Sequence, residues 1–125
     1  MDMSQLYDIA CRTVKPTRLR QDGYAGGVAC ALQTQDDAVF TGICIDMPCA
    51  LGFCAESAAI AEMLKSGRTI IKRIITVQED GAVLSACGKC RELIRQLHDD
   101  NIHTLIAVSR TEEISLEQLL PNPWN

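Results

Sequence analysis

Leu6, Ile9, Ala10 and Val14 recur at helical spacing and Pro16 stops the pattern, which predicts a first helix over residues 2–14. A basic, glycine-containing stretch follows (Lys15, Arg18, Arg20, Gly23, Gly26, Gly27) and is expected to be a loop. Two short apolar runs, 27–33 and 38–46, are separated by Thr34-Gln35-Asp36-Asp37, a hairpin pattern. Residues 54–65 are alanine-rich and stop before Gly67. Alanine is the best helix former, and small side chains on most faces suit a closely packed, buried helix. The β-branched run 69–77 predicts a strand, and Glu79-Asp80-Gly81 a turn. Cys90, Leu93, Ile94 and Leu97 place a helix between Gly88 and His98; 102–108 reads as a strand and 115–120 as a short closing helix before Pro121.

The predicted order is α-β-β-α-β-α-β-(α). A helix joins the last two strands, so a right-handed crossover makes them parallel, whereas the first hairpin is antiparallel. One mixed sheet with helices against it follows: an α/β, three-layer α-β-α sandwich. A chain of 125 residues without repeats or linkers is expected to form a single domain, 1–125.

Composition narrows the function classes. Aromatic residues make up only 4% of the chain, so the core must be built from Ile, Leu, Val and Ala. The net charge of −4 argues against a nucleic-acid polymer as partner, although a small anionic ligand is still compatible. No apolar run is long enough to predict a membrane span. The opening Met1-Asp2-Met3-Ser4 is unlike a secretory signal, so a cytoplasmic protein with reduced thiols is expected.

Seven cysteines are many for such a chain. Cys87-Gly88-Lys89-Cys90 opens a predicted helix, where two thiolates three residues apart share a face. A metal site, a dithiol redox pair and two core cysteines all fit that pattern. The second piece is Cys54-Ala55-Glu56 at the start of the alanine-rich helix. Residues two apart inside a helix diverge by about 200°, so Cys54 and Glu56 address one point only if Cys54 sits at the cap. Two helix N-termini then face one site, which suits an anionic metal–thiolate centre. Three thiolates leave tetrahedral zinc one open position, the catalytic pattern, unless Cys44 or Cys49 closes it. An open position activates water near neutral pH, and Glu56 would move its proton; otherwise Glu56 is a solvated carboxylate at a helix start.

Cys54-Ala55-Glu56, Cys87-Gly-x-Cys90-Arg91 and the Thr41-Gly42 strand end together resemble the zinc-dependent cytidine deaminases, a family that includes blasticidin S deaminase. The resemblance covers roughly residues 24–120 and implies a cytidine deaminase-like fold. It implies Cys54, Cys87 and Cys90 as ligands of one zinc per chain and Glu56 as proton shuttle. The implied reaction is water attack on C4 of a cytosine ring, giving the uracil form and ammonia. The substrate would be cytidine, deoxycytidine or a nucleoside analogue such as blasticidin S, since a cysteine as first ligand resembles the free-nucleoside branch. Where the family usually carries Asn-x-Glu after Thr-Gly-x, this chain has Cys44 and Asp46. Those two residues and Ala55 are the expected substrate contacts. Ala86 and Ser57 also depart from the family's usual Pro and Arg. A homotetramer is implied, with pockets that borrow loops from neighbours.

Two other functions are open at this point. One is a non-catalytic, zinc-stabilised nucleoside-binding protein on the same fold, and the other a thiol–disulfide protein using Cys87 and Cys90. His98 and His103 are expected to be solvated. Arg91 and Arg95 are expected at the surface, with Arg91 able to neutralise thiolates. The Lys15–Arg20 cluster reads as a solvated loop. Trp124 is a packing residue, or else a lid or neighbouring-subunit wall.

Overall fold

A computed structural model describes residues 1–125. Helix α1 (Met3–Thr13) is closed by a reciprocal cap, the Gln5 N–H donating to the Asp2 carboxylate and the Asp2 N–H to the Gln5 side chain. Its buried Leu6 and Ala10 pack on Ala31, Ile75, Val77 and Ala107, which project from one face of the sheet. Cys30, Leu32, Ile74 and Ile106 point to the opposite face, under helices α2 (Ala55–Lys65) and α3 (Gly88–Leu97). Strand alternation thus serves two cores, and the sandwich has the expected three layers.

The spine of the sheet is β2 (Tyr24–Thr34), which pairs antiparallel with β3 (Val39–Asp46) and with β4 (Ile71–Gln78). Strand β4 then runs parallel to β6 (Leu105–Ala107), and β6 antiparallel to β7 (Glu113–Ser115). The sheet is therefore mixed. Short strands β1 (Thr17–Arg18) and β5 (Val83–Leu84) extend β2 and β4. Helix α4 (Leu116–Leu119) closes the chain on a Ser115 cap. No helix is long and apolar enough to cross a membrane.

Three local expectations are corrected. The basic stretch after α1 is not all loop: Thr17 and Arg18 pair with Ala25 and Tyr24. Strand β2 therefore starts earlier than its apolar run, with a register shift between Ala25 and Ala29. In that shift Gly26 has φ +77°, and a Cβ there would strike the Lys15 carbonyl. The expected strand 102–108 is reduced to three residues, because Asp99–His103 forms a 3-10 turn. The turn presents Asn101, fully buried, whose Oδ1 accepts from the Ile71 N–H and whose Nδ2 donates to the Thr69 and Ile94 carbonyls. That side chain ties the end of α3 to the start of β4, and local strand propensity yields to it. Strands β5 and β7 are two and three residues long, too short for an alternation signal.

Two close approaches set the start of α2. A Cβ on Gly42 would meet the backbone N of Ala59, the Ala55 carbonyl oxygen (2.6 Å) and the Ala58 Cβ (2.7 Å), so β3 and α2 touch backbone to backbone. This accounts for the alanine-rich helix opposite Thr41-Gly42. At the end of β3, Ile45 exchanges backbone hydrogen bonds of 3.0 and 2.9 Å with Phe53, and a Cβ on Gly52 would collide with the Ile45 carbonyl. The loop is thereby pinned one residue before Cys54.

Candidate metal centre and pocket

Cys54 is the N-cap of α2 (φ −75°, ψ 153°) and Cys87 the N-cap of α3 (φ −70°, ψ 168°). An N-cap side chain turns back over the first turn of its helix, toward the third helical residue. In α3 that residue is Cys90, so the cap position of Cys87 and the first-turn position of Cys90 put both thiols at the helix start, with no side-chain cap hydrogen bond formed. The sulfurs of Cys54, Cys87 and Cys90 all lie within 4.8 Å of one another. Cys44 and Cys49 are outside the cluster. Cys49 is exposed on the 3-10 turn Pro48–Ala50 at φ 64°, and the Cys44 thiol donates to the Asp46 carboxylate at 3.4 Å. Neither histidine joins it: His98 Nδ1 accepts from the Asp100 N–H, at the far end of α3.

The donor set fits a zinc ion. Tetrahedral Zn–S bonds of about 2.3 Å place sulfurs roughly 3.8 Å apart, within the separation found here. Burial raises the Cys54 thiol, and burial followed by the nearby Glu56 and cysteines raises Cys90 strongly. Cys87 is also pushed up by burial, but the Cys90 N–H and the thiols of Cys90 and Cys54 bring it below the ordinary thiol value. Three thiols and a carboxyl this close resist ionising together, and a bound cation offsets that repulsion.

Glu56, the second residue of α2, is only 5% exposed. Burial raises its carboxyl above the usual carboxylate range, opposed by its own backbone N–H and by the Thr76 hydroxyl. It opens into a pocket of about 540 Å³, a volume suited to a small organic ligand. Val28, Ile45, Phe53 and Leu84 form apolar walls; Cys54, Glu56 and Cys87 line the side of the thiol cluster. The other expected contacts, Cys44, Asp46 and Ala55, line the same pocket. Folding therefore gathers all the site residues singled out in the sequence, with Cys90 buried behind Cys87.

Other residues are placed differently. Arg91 donates to the Ser85 hydroxyl at 3.2 Å, beside the pocket wall. Trp124 does not pack into the chain's own core: its side chain is exposed, and its backbone N–H donates to the Glu92 carboxylate at 2.9 Å. Sequence reasoning missed Thr76, buried on β4 and facing the pocket. Its one signal is a hydroxyl inside the run Ile74-Ile75-Thr76-Val77, which β propensity alone explains.

The whole chain superposes on solved cytidine deaminases. With the enzyme from Mycobacterium tuberculosis the TM-score is 0.83 at 24% identity, over 100% of this chain and 98% of that one. With the Mycobacterium leprae cytidine deaminase the values are 0.82 and 21%, over 98% and 99% of the two chains. With that of Burkholderia pseudomallei they are 0.77 and 23%, over 99% and 100%. No family model and no curated protein matches the sequence. The chain has the cytidine deaminase fold, with a three-cysteine cluster able to hold a metal ion at the mouth of two helices.

Proposed function

We propose that this protein is a zinc-dependent hydrolytic deaminase that converts a cytosine nucleoside, or an analogue such as blasticidin S, to the uracil form with release of ammonia. One observation carries the reading: on the cytidine deaminase fold three thiols converge, two of them on the wall of a pocket that a buried carboxyl also lines. Cys54, Cys87 and Cys90 would hold one zinc ion. When bound, zinc supplies the Lewis acidity that makes water a nucleophile near neutral pH.

The chain's own residues do the rest. Glu56 accepts one proton from the attacking water and delivers it to N3 as the water oxygen bonds to C4. It then takes the remaining proton from that C4 hydroxyl and gives it to the amine, so that the C4–N bond breaks, ammonia leaves and the C4 carbonyl forms. The N-termini of α2 and α3 offset the negative charge of the thiolates. Apolar walls exclude bulk water, which strengthens each charge interaction in the pocket. Cys44, Asp46 and Ala55 contact the nucleoside, and the Cys44–Asp46 hydrogen bond supports a shared role for that pair. Exposed Leu51, Phe53 and Trp124 support a homotetramer, the assembly this reading implies.

The deciding assay follows ammonia release from cytidine, deoxycytidine and blasticidin S by protein of measured zinc content. Turnover of one of them with one zinc per chain is expected. Zinc-loaded protein that binds these compounds and returns them unchanged would instead be a nucleoside-binding protein on the same fold.

A further inference from the structure

The buried polar side chains are Gln33, Thr34, Glu56, Thr76, Asn101 and Thr104. Four of them have partners away from the pocket. Gln33 donates to Asp37, and Thr34 accepts from the Ala38 N–H. Asn101 holds the three backbone groups described above, and Thr104 donates to the Ile71 carbonyl at 2.7 Å. That leaves Glu56 and Thr76, both lining the one pocket. A buried carboxyl needs a donor, and an unrestrained Glu side chain has three torsions through which to leave its working position.

Thr76 is held where such a donor is needed. It sits in the middle of β4, paired with Cys30 of β2, and only 3% of it is exposed. Ile75 and Val77 on either side point to the α1 face, so the Thr76 side chain projects toward α2. Its β-branched side chain has few rotamers. Its cross-strand partner Cys30 and its same-face neighbour Ile74 belong to the apolar core, and valine has the same shape as threonine. Thr76 on β4 and Glu56 in the first turn of α2 are the two buried polar side chains that line the pocket.

We propose that Thr76 is a positioning residue for the reaction, its hydroxyl fixing the Glu56 carboxyl in the orientation that moves protons between water and the cytosine ring. This inference rests on the deaminase reading and adds to it a residue outside the sequence motifs. Thr76→Val removes the hydroxyl and keeps the shape, whereas Thr76→Ser keeps the hydroxyl. A hydrogen bond to a charged group corresponds to a rate effect of about 10-fold or more. The expected result is therefore a kcat about 10-fold lower or more in Thr76→Val, with KM, zinc content and Tm at wild-type values. Thr76→Ser should restore most of kcat.

A readout independent of turnover is the infrared carboxyl band of Glu56, assigned by its loss in Glu56→Gln; it should shift in Thr76→Val and not in Thr76→Ser. Wild-type kcat and an unshifted band in Thr76→Val overturn the inference and leave the deaminase reading intact. Equal loss in the Val and Ser variants also overturns it, by showing a packing role. A wild-type protein that deaminates nothing overturns both.

Discussion

Cys54 and Cys87 cap two different helices, and their sulfurs nonetheless lie within 4.8 Å of each other. The cap position is what allows this. Both cap residues are extended and make no side-chain cap hydrogen bond, so their thiols are free to turn from the helix starts toward the third sulfur, that of Cys90 in the first turn of α3. Both helix ends are brought to one place by the sheet: α2 through its close contact with Gly42, α3 through the turn after β5.

Replacing any one thiol should abolish tight metal retention. With Cys54→Ala, Cys87→Ala or Cys90→Ala, metal analysis after gel filtration is expected to fall from one zinc per chain to near zero. Cys49→Ala and Cys44→Ala should retain it. Removing the metal from wild type with a chelator should lower Tm, because an ion that binds only the folded chain stabilises it by mass action. Retention of a full zinc complement by the Cys54 variant would contradict the proposed ligand set.

Glu56→Gln should separate binding from chemistry. The amide is isosteric and carries no titratable proton, so zinc content and nucleoside affinity should stay near wild type. Ammonia release should drop by about 10²–10⁴-fold, the range of a positioned acid–base group. Activity within a few-fold of wild type would remove Glu56 from the proton path.

Gly42→Ala tests the contact that seats α2. The added methyl would press on the Ala55 carbonyl oxygen and the Ala58 Cβ, at 2.6 and 2.7 Å, and backbone cannot yield as a flexible side chain can. Overpacking of this kind costs about 1–3 kcal/mol. Urea unfolding should show a lower midpoint, and zinc affinity should fall with it because the Cys54 cap moves. An unchanged midpoint would mean the helix can shift freely, against the packing described.

Asn101→Ala should be among the most destabilising single changes. It leaves the Ile71 N–H and the Thr69 and Ile94 carbonyls without their side-chain partner in a buried setting. Each unsatisfied group costs about 1–3 kcal/mol, so the sum is about 3 kcal/mol or more. Calorimetry would read this as a large drop in Tm. A loss under about 1 kcal/mol would show that water reaches these groups.

Much of the site was legible in order along the chain. Cys54-Ala55-Glu56 and Cys87-Gly88-Lys89-Cys90 each sit just where an apolar periodicity begins, and a helix start is a local event that capping chemistry dictates. Helices α1, α2 and α3 and the pairing of β2 with β3 were legible for the same reason. Thr76 was not, because its role depends on which sheet face it occupies and what lies above that face. The turn at Asp99–His103 was not, because the partners of Asn101 are Thr69, Ile71 and Ile94, remote in sequence. The exposure of Trp124 was not, because a tail residue has no periodicity to reveal a face.

The sequence by itself determined the layer architecture, the mixed sheet and the donor types, since hydrophobic period, caps and side-chain chemistry are properties of neighbours along the chain. Only the tertiary structure decided that three sulfurs meet at one point, that Cys44 turns to Asp46 instead of joining them, and that a buried threonine shares the pocket with the carboxyl. Those are distances between elements, fixed by backbone approach at Gly42 and Gly52 and by sheet register. No local pattern encodes a distance across the fold.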